Sequence, residues 1–176
     1  RCGDGWPEAF RAMPSWRFAA AAGRLGPQVV VGMMRPSVDR VGRAFPLTVA
    51  VCLEAARLAS VPPATLGALL DRAGVATRAA VDGMDVEAFD AAIASIALPG
   101  LPGSLGVDPK ADGRDPAAHD AAWSAWCARL AEAGTLWWTS PDGDAPGAEA
   151  TSAALDGALF DALLRGAAPR VHGASA

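Results

Sequence analysis

From Ser15 the chain alternates, with Trp16, Phe18 and Ala20 on one side and Arg17 and Ala19 on the other. That period of two predicts a strand with one buried face. Gly23 to Pro27 reads as a turn. Val29, Val30, Val31, Gly32, Met33 and Met34 form a continuous apolar run that opens on β-branched residues. Such a run predicts a strand covered on both faces and central in its sheet. After a segment rich in arginine, proline and glycine, Phe45, Leu47, Val49, Val51 and Leu53 share one side of a second alternating stretch, with Pro46, Thr48, Ala50 and Cys52 opposite. Connections this short favour an antiparallel meander, because a parallel crossover takes about a dozen residues or more.

The spacing then turns helical. Pro62 and Pro63 fit only a first turn, and Leu66, Leu69, Leu70 and Ala73 line one face before Gly74, which is expected to stop the helix. Asp85 is a good N-cap, with Met84 placed to staple against Phe89, and Val86, Phe89, Ile93 and Ile96 repeat at helical spacing up to Pro99 and Gly100. Residues 100–114 are rich in glycine and proline and read as a flexible excursion inside the domain. Asp115 followed by Pro116 starts a helix whose face of Ala122, Trp123, Trp126, Leu130 and Ala133 runs to a stop at Gly134. Thr135 to Thr139 (TLWWT) reads as a strand, closed by a turn over Ser140 to Gly143. A last helix, roughly Ala153 to Arg165, places Leu155, Leu159, Phe160 and Leu163 inward. The pattern as a whole predicts an α+β fold: a mainly antiparallel meander sheet flanked by helices, in a single domain over residues 1–176.

Composition narrows this picture. The chain has 176 residues and is 52% hydrophobic, but 42 residues are alanine, which favours helix and buries little surface. The remaining 16 Leu, 13 Val, 6 Trp and 5 Phe suffice for one core and not for two. No apolar run approaches the roughly 18 residues of a spanning helix, so integral membrane insertion is not expected. A net charge of -4, with basic residues scattered from Arg1 to Arg170, offers no footprint for nucleic acid. Cys2, Cys52 and Cys127 lie far apart and lack zinc or redox spacing, which fits a reduced, cytoplasmic setting. Phosphate-loop, dinucleotide, metalloprotease and calcium-loop motifs are absent from the sequence, and no cofactor is expected. A chain that opens on Arg1 rather than methionine reads as part of a longer gene product.

One segment stands out against the acidic background. Arg35-Pro36-Ser37-Val38-Asp39-Arg40-Val41-Gly42-Arg43, followed by Ala44-Phe45-Pro46-Leu47-Thr48, carries a local charge of about +2. Read as a loop, it is stiffened by Pro36 and turned by Gly42, and it could hold its arginines toward a partner's carboxylate or phosphate. The competing reading is a structural clasp in which Asp39 accepts hydrogen bonds from Arg40, Arg43 or Arg17. Ser37 and Asp39 also invite a hydrolase reading, but a triad would need His119 or His172, one beside the excursion and the other in the tail. Trp16, Trp123, Trp126, Trp137 and Trp138 are mostly core by their spacing, and one of the tandem pair must face away from it.

The series PSWRFAAAAGRLGP, VVVGMMRPSVDRVGRAFPLTVA, GTLWWTSPDG and LFDALLRG resembles, in order and spacing, the N-terminal domain of TagF, an accessory protein of the bacterial type VI secretion system. The resemblance spans Trp16 to about Gly166. It implies a post-translational repressor of secretion, without enzymatic activity, linked to a cytoplasmic forkhead-associated scaffold protein. Residue by residue it places the family motif on Trp16, Arg17, Pro36, Ser37, Asp39, Arg40, Gly42, Arg43, Phe45 and Pro46, and on Trp137 and Trp138, as fold-defining or partner-contacting positions. Arg35 joins them as a candidate contact. The family's opening strand and helix have no counterpart before Arg1. Its short strand after LWWT falls where this chain carries the Ala/Gly/Asp-rich stretch Asp142 to Ala154. A structural component of the secretion apparatus is the other non-enzymatic reading.

Overall fold

A computed structural model describes residues 5–96, 116–139 and 149–165. It shows an α+β fold built on one five-stranded antiparallel sheet. The strands are β1 (Trp16–Ala20), β2 (Val29–Val38), β3 (Ala44–Leu53), β4 (Thr135–Thr139) and β5 (Glu149–Ser152), in the order β3-β2-β1-β4-β5. The first three strands form the expected meander. The helices are α1 (Trp6–Arg11), α2 (Ala55–Ser60), α3 (Pro63–Val81), α4 (Val86–Ala94), α5 (Pro116–Ala133) and α6 (Gly157–Leu164). The chain divides into two compact units, one of Arg1–Leu53 with Leu130–Ala176 and one of Glu54–Arg129.

In the first unit the register puts Trp16, Phe18, Met34, Trp137 and Ala150 on one face of the sheet. Phe10 of α1, Met13, and Leu159 and Leu163 of α6 complete a buried cluster with them. Phe18 and Trp137 stack at 4.9 Å between ring centroids. Both core indoles satisfy their N–H groups: Trp16 Nε1 donates to the Leu163 carbonyl at 3.1 Å, and Trp137 Nε1 to Thr135 Oγ1 at 3.2 Å. The Thr135 hydroxyl in turn donates to the Ser152 carbonyl at 2.7 Å, tying β4 to β5.

The other face was expected to be open at β1, yet all five of its residues are buried, including Arg17 at 7% exposure. Ala19, Val29, Val31, Met33, Leu53 and Leu136 on that face are buried as well. Alternation therefore reported which residues share a face, and not which face is covered. Phe45 is the converse case. It shares a face with buried Leu53, but it sits at 41% exposure near the hairpin end of β3.

Three helix expectations are corrected. Gly74 does not stop α3, which continues to Val81 and closes at Gly83 (φ 107) with Met84 N–H donating to the Ala79 carbonyl at 2.9 Å. One glycine costs only about 1 kcal/mol in a helix interior, and alanine-rich flanks offset it. Asp85 does cap α4, accepting from the Ala88 N–H at 2.7 Å, but α4 has no buried residue and Val86 is exposed. The last helix starts at Gly157 rather than near Ala153, capped by Asp156, which leaves Leu155 exposed. The patterning does not predict α1 or α2. β5, within the Ala/Gly/Asp-rich stretch, supplies the short strand after LWWT. In the second unit α3 packs on α4, and the Trp123 and Trp126 rings of α5 stack at 4.8 Å. The excursion over 100–114 and the turn over 140–143 lie outside the described residues. Among the described residues, no helix is long and apolar enough to cross a membrane.

Candidate functional site

The arginine-rich segment is for the most part not a loop. Arg35, Pro36, Ser37 and Val38 continue β2 and pair with Leu47, Pro46, Phe45 and Ala44 of β3, leaving only Asp39 to Arg43 as the connection. Proline inside strands normally argues against strand, because it removes a ladder donor. Here Pro36 faces Pro46. Asp39 N–H donates to the Arg43 carbonyl at 3.0 Å, which marks a hydrogen-bonded position. Counting back by alternation makes Pro36 and Pro46 a non-hydrogen-bonded pair, whose nitrogens point away from each other. β2 has also run past β1 at this level, since Trp16 pairs with Met34. Neither proline interrupts a bond.

The turn is organised by Asp39. Its Oδ1 accepts from the backbone N–H of Arg43 at 2.9 Å and of Val41 at 3.0 Å, and its Oδ2 accepts from Arg43 Nε at 2.6 Å. Gly42 N–H donates to the Asp39 carbonyl at 3.0 Å, and Gly42 takes φ 85, a left-handed conformation open to glycine at little cost. The Arg43 backbone N–H is the main cause that holds the Asp39 carboxyl below its ordinary range, with the Arg43 side chain and the Val41 and Gly42 N–H groups adding to it. The clasp reading is therefore correct for Asp39 and Arg43. Both carboxylate oxygens serve the turn, so Asp39 is not disposed to orient a histidine, and the side chains of His119 and His172 lie outside the described residues.

What remains is a tip with a definite surface. Arg40 is exposed, and Arg43 keeps 80% of its side-chain surface in solvent despite its contact with Asp39. Val41 at 77%, Val38 at 42% and Phe45 at 41% exposure surround them. Val38 and Val41 were not singled out from the sequence. The available signal was Asp39-Arg40-Val41-Gly42 between two alternating runs, a turn that necessarily presents its second and third residues outward.

Residues 1–96 match the family described as TagF N-terminal domain, Type VI secretion system-associated. The chain belongs to the TagF N-terminal domain family. The crystal structure of PA0076 from Pseudomonas aeruginosa PAO1 is similar, with 30% sequence identity, a TM-score of 0.52, and coverage of 77% of this chain. The chain spans 62% of the length of that protein. Among curated proteins none matches. The TagF match ends before β4, so the TLWWT strand lies beyond it.

The candidate positions separate into three places. Trp16, Arg17 and Trp137 are buried in the sheet. Trp138 lies half-buried on the face opposite Trp137, beside Arg17 in the register, and Arg35 is half-buried on that same face. Pro36, Ser37, Asp39, Gly42 and Pro46 shape the hairpin, and Arg40, Arg43 and Phe45 are presented by it. The hairpin brings Arg35 through Pro46 together. It does not bring Trp16, Arg17, Trp137 or Trp138 to its tip.

Proposed function

We propose that this chain is a cytoplasmic, non-enzymatic regulator of the type VI secretion system that represses assembly of the apparatus after translation, through contact with its forkhead-associated scaffold protein. The β2–β3 hairpin tip is the contact surface. The observation that supports this reading is the coincidence of the TagF-family match with a pre-organised turn whose Arg40 and Val41 face solvent. Asp39 fixes the turn before any partner arrives, so little ordering entropy opposes binding. An exposed guanidinium beside an exposed valine suits a carboxylate-bearing, partly apolar surface.

Arg40→Glu combined with Val41→Asp probes this contact without touching the Asp39 clasp, whereas any change at Arg43 also disturbs the turn. In cells the double variant is expected to lose co-purification with the scaffold and to release secretion at unchanged levels of the secretion components. Retained co-purification with retained repression would remove the tip from the contact. Deleting the gene should raise secretion without raising component levels; a rise in those levels would move the effect to synthesis.

A further inference from the structure

The two edges of the sheet differ in kind. β5 is four residues long and carries Glu149, features that protect an edge from pairing with another chain. β3 is ten residues long, and from Leu47 to Leu53 it holds no charge, no proline and no glycine. Its only blunting residue is Pro46. Alternation from the hydrogen-bonded Asp39 and Arg43 makes Thr48, Ala50 and Cys52 non-hydrogen-bonded partners of β2, so their N–H and C=O groups point to the outer edge. All three residues are exposed.

The segment is also close to a palindrome. Around Ala50, Val49 mirrors Val51, Thr48 mirrors Cys52 and Leu47 mirrors Leu53. Pro46 and Glu54 bound it symmetrically. A strand of this kind is complementary to its own antiparallel copy, since a two-fold interface uses the same patch twice.

We propose that β3 pairs with β3 of a second copy about a two-fold axis at Ala50, joining the two sheets into one. Ala50 meets its own copy on the axis, and Thr48 meets Cys52 of the other chain, each pair exchanging two main-chain hydrogen bonds. Val49 meets Val51 at the intervening close positions, extending the apolar face that holds Val31 and Met33. Pro46, which has no N–H to offer, ends the shared ladder at each side.

Light scattering on the purified chain at micromolar concentration is expected to give the dimer mass. Ala50→Lys sets two ammonium groups opposite each other on the axis, and Ala50→Pro removes the axial N–H without removing a bond to β2. Both should give monomers with an unchanged circular dichroism spectrum. Register is read separately by Thr48→Cys in a Cys2→Ser, Cys127→Ser background. Residues 48 and 52 are about 13 Å apart along one strand, beyond disulfide reach, but about 5.5 Å apart across the interface. Oxidation with copper phenanthroline should therefore yield a covalent dimer, lost when Cys52→Ser is added. A monomer at all concentrations, or a dimer indifferent to both Ala50 variants, would overturn the proposal. A dimer without the disulfide would overturn its axis, and a foreign strand captured by a monomeric chain would replace the second copy.

Discussion

At the scale of single residues, the candidate positions divide by burial rather than by chemistry. Trp16 is fully buried, and its indole N–H ends on the Leu163 carbonyl near the C-terminus of α6. That carbonyl also accepts a backbone N–H of the α6 C-cap, so Trp16→Phe leaves it paired but removes one buried hydrogen bond and part of a packed ring; a loss of about 1–3 kcal/mol in denaturant unfolding is expected. Gly32 faces Ala50 in a close, non-hydrogen-bonded pair, where an added Cβ would collide with the Val49 carbonyl and lie 2.8 Å from the Ala50 Cβ. Gly32→Ala is expected to cost about 1–3 kcal/mol by the same measurement, a penalty that backbone conformation alone would not impose. Neither role could be read from the sequence, because each depends on an atom more than fifteen residues away. Arg17 and Arg35 show the same blindness from the other side. Their charge suggested exposure, yet one is buried and the other half-buried within an apolar sheet face.

At the scale of elements, period-two and helical spacing located β1, β2, β3, β4, α3, α4, α5 and α6, and failed mainly at their ends. β2 overran its expected limit because Pro36 and Pro46 fall at positions where neither owes a hydrogen bond, a circumstance that appears only once the two strands are in register. Gly74 lies inside α3 because the surrounding residues favour helix strongly enough to carry it. Capping was legible at Asp85 but not at Asp156, which a helix read from about Ala153 passes over. Asp156 accepts from the N–H groups of Ala158 and Leu159 at 3.1 and 3.0 Å, so Asp156→Ala should lower stability by about 1 kcal/mol and loosen α6 from the Trp16 cluster. The hairpin turn adds a pH dependence. Because the folded carboxyl of Asp39 titrates below its ordinary value, its stabilisation is complete above the ordinary aspartate range and is lost as pH falls through the lowered one. A carbon-detected NMR titration should place the Asp39 midpoint below that of an unstructured aspartate. Asp39→Asn, which keeps an acceptor for the Val41 and Arg43 N–H groups but drops the charge, should remove the acid-induced loosening of the turn.

At the scale of the whole molecule, the edge of β3 and the tip of the hairpin are linked by covalent geometry. The tip lies at the start of β3 and the proposed axis at Ala50, about seven residues further on, which corresponds to roughly 24 Å of extended chain. Antiparallel pairing therefore places two tips at opposite ends of the joined sheet, about 45–50 Å apart. A dimer with two separated, rigid contacts binds a clustered partner more strongly than either contact alone, by effective concentration rather than by new chemistry. Ala50→Lys should then leave single-site affinity unchanged when the scaffold is in dilute solution, and should weaken binding to a densely immobilised scaffold by roughly 10²-fold or more. Arg40→Glu should weaken both. Surface-plasmon measurements at two scaffold densities separate the cases. A variant at Ala50 that weakens both densities equally would show that the β3 edge is part of the proposed contact itself, and one that weakens neither would show that binding uses only one tip.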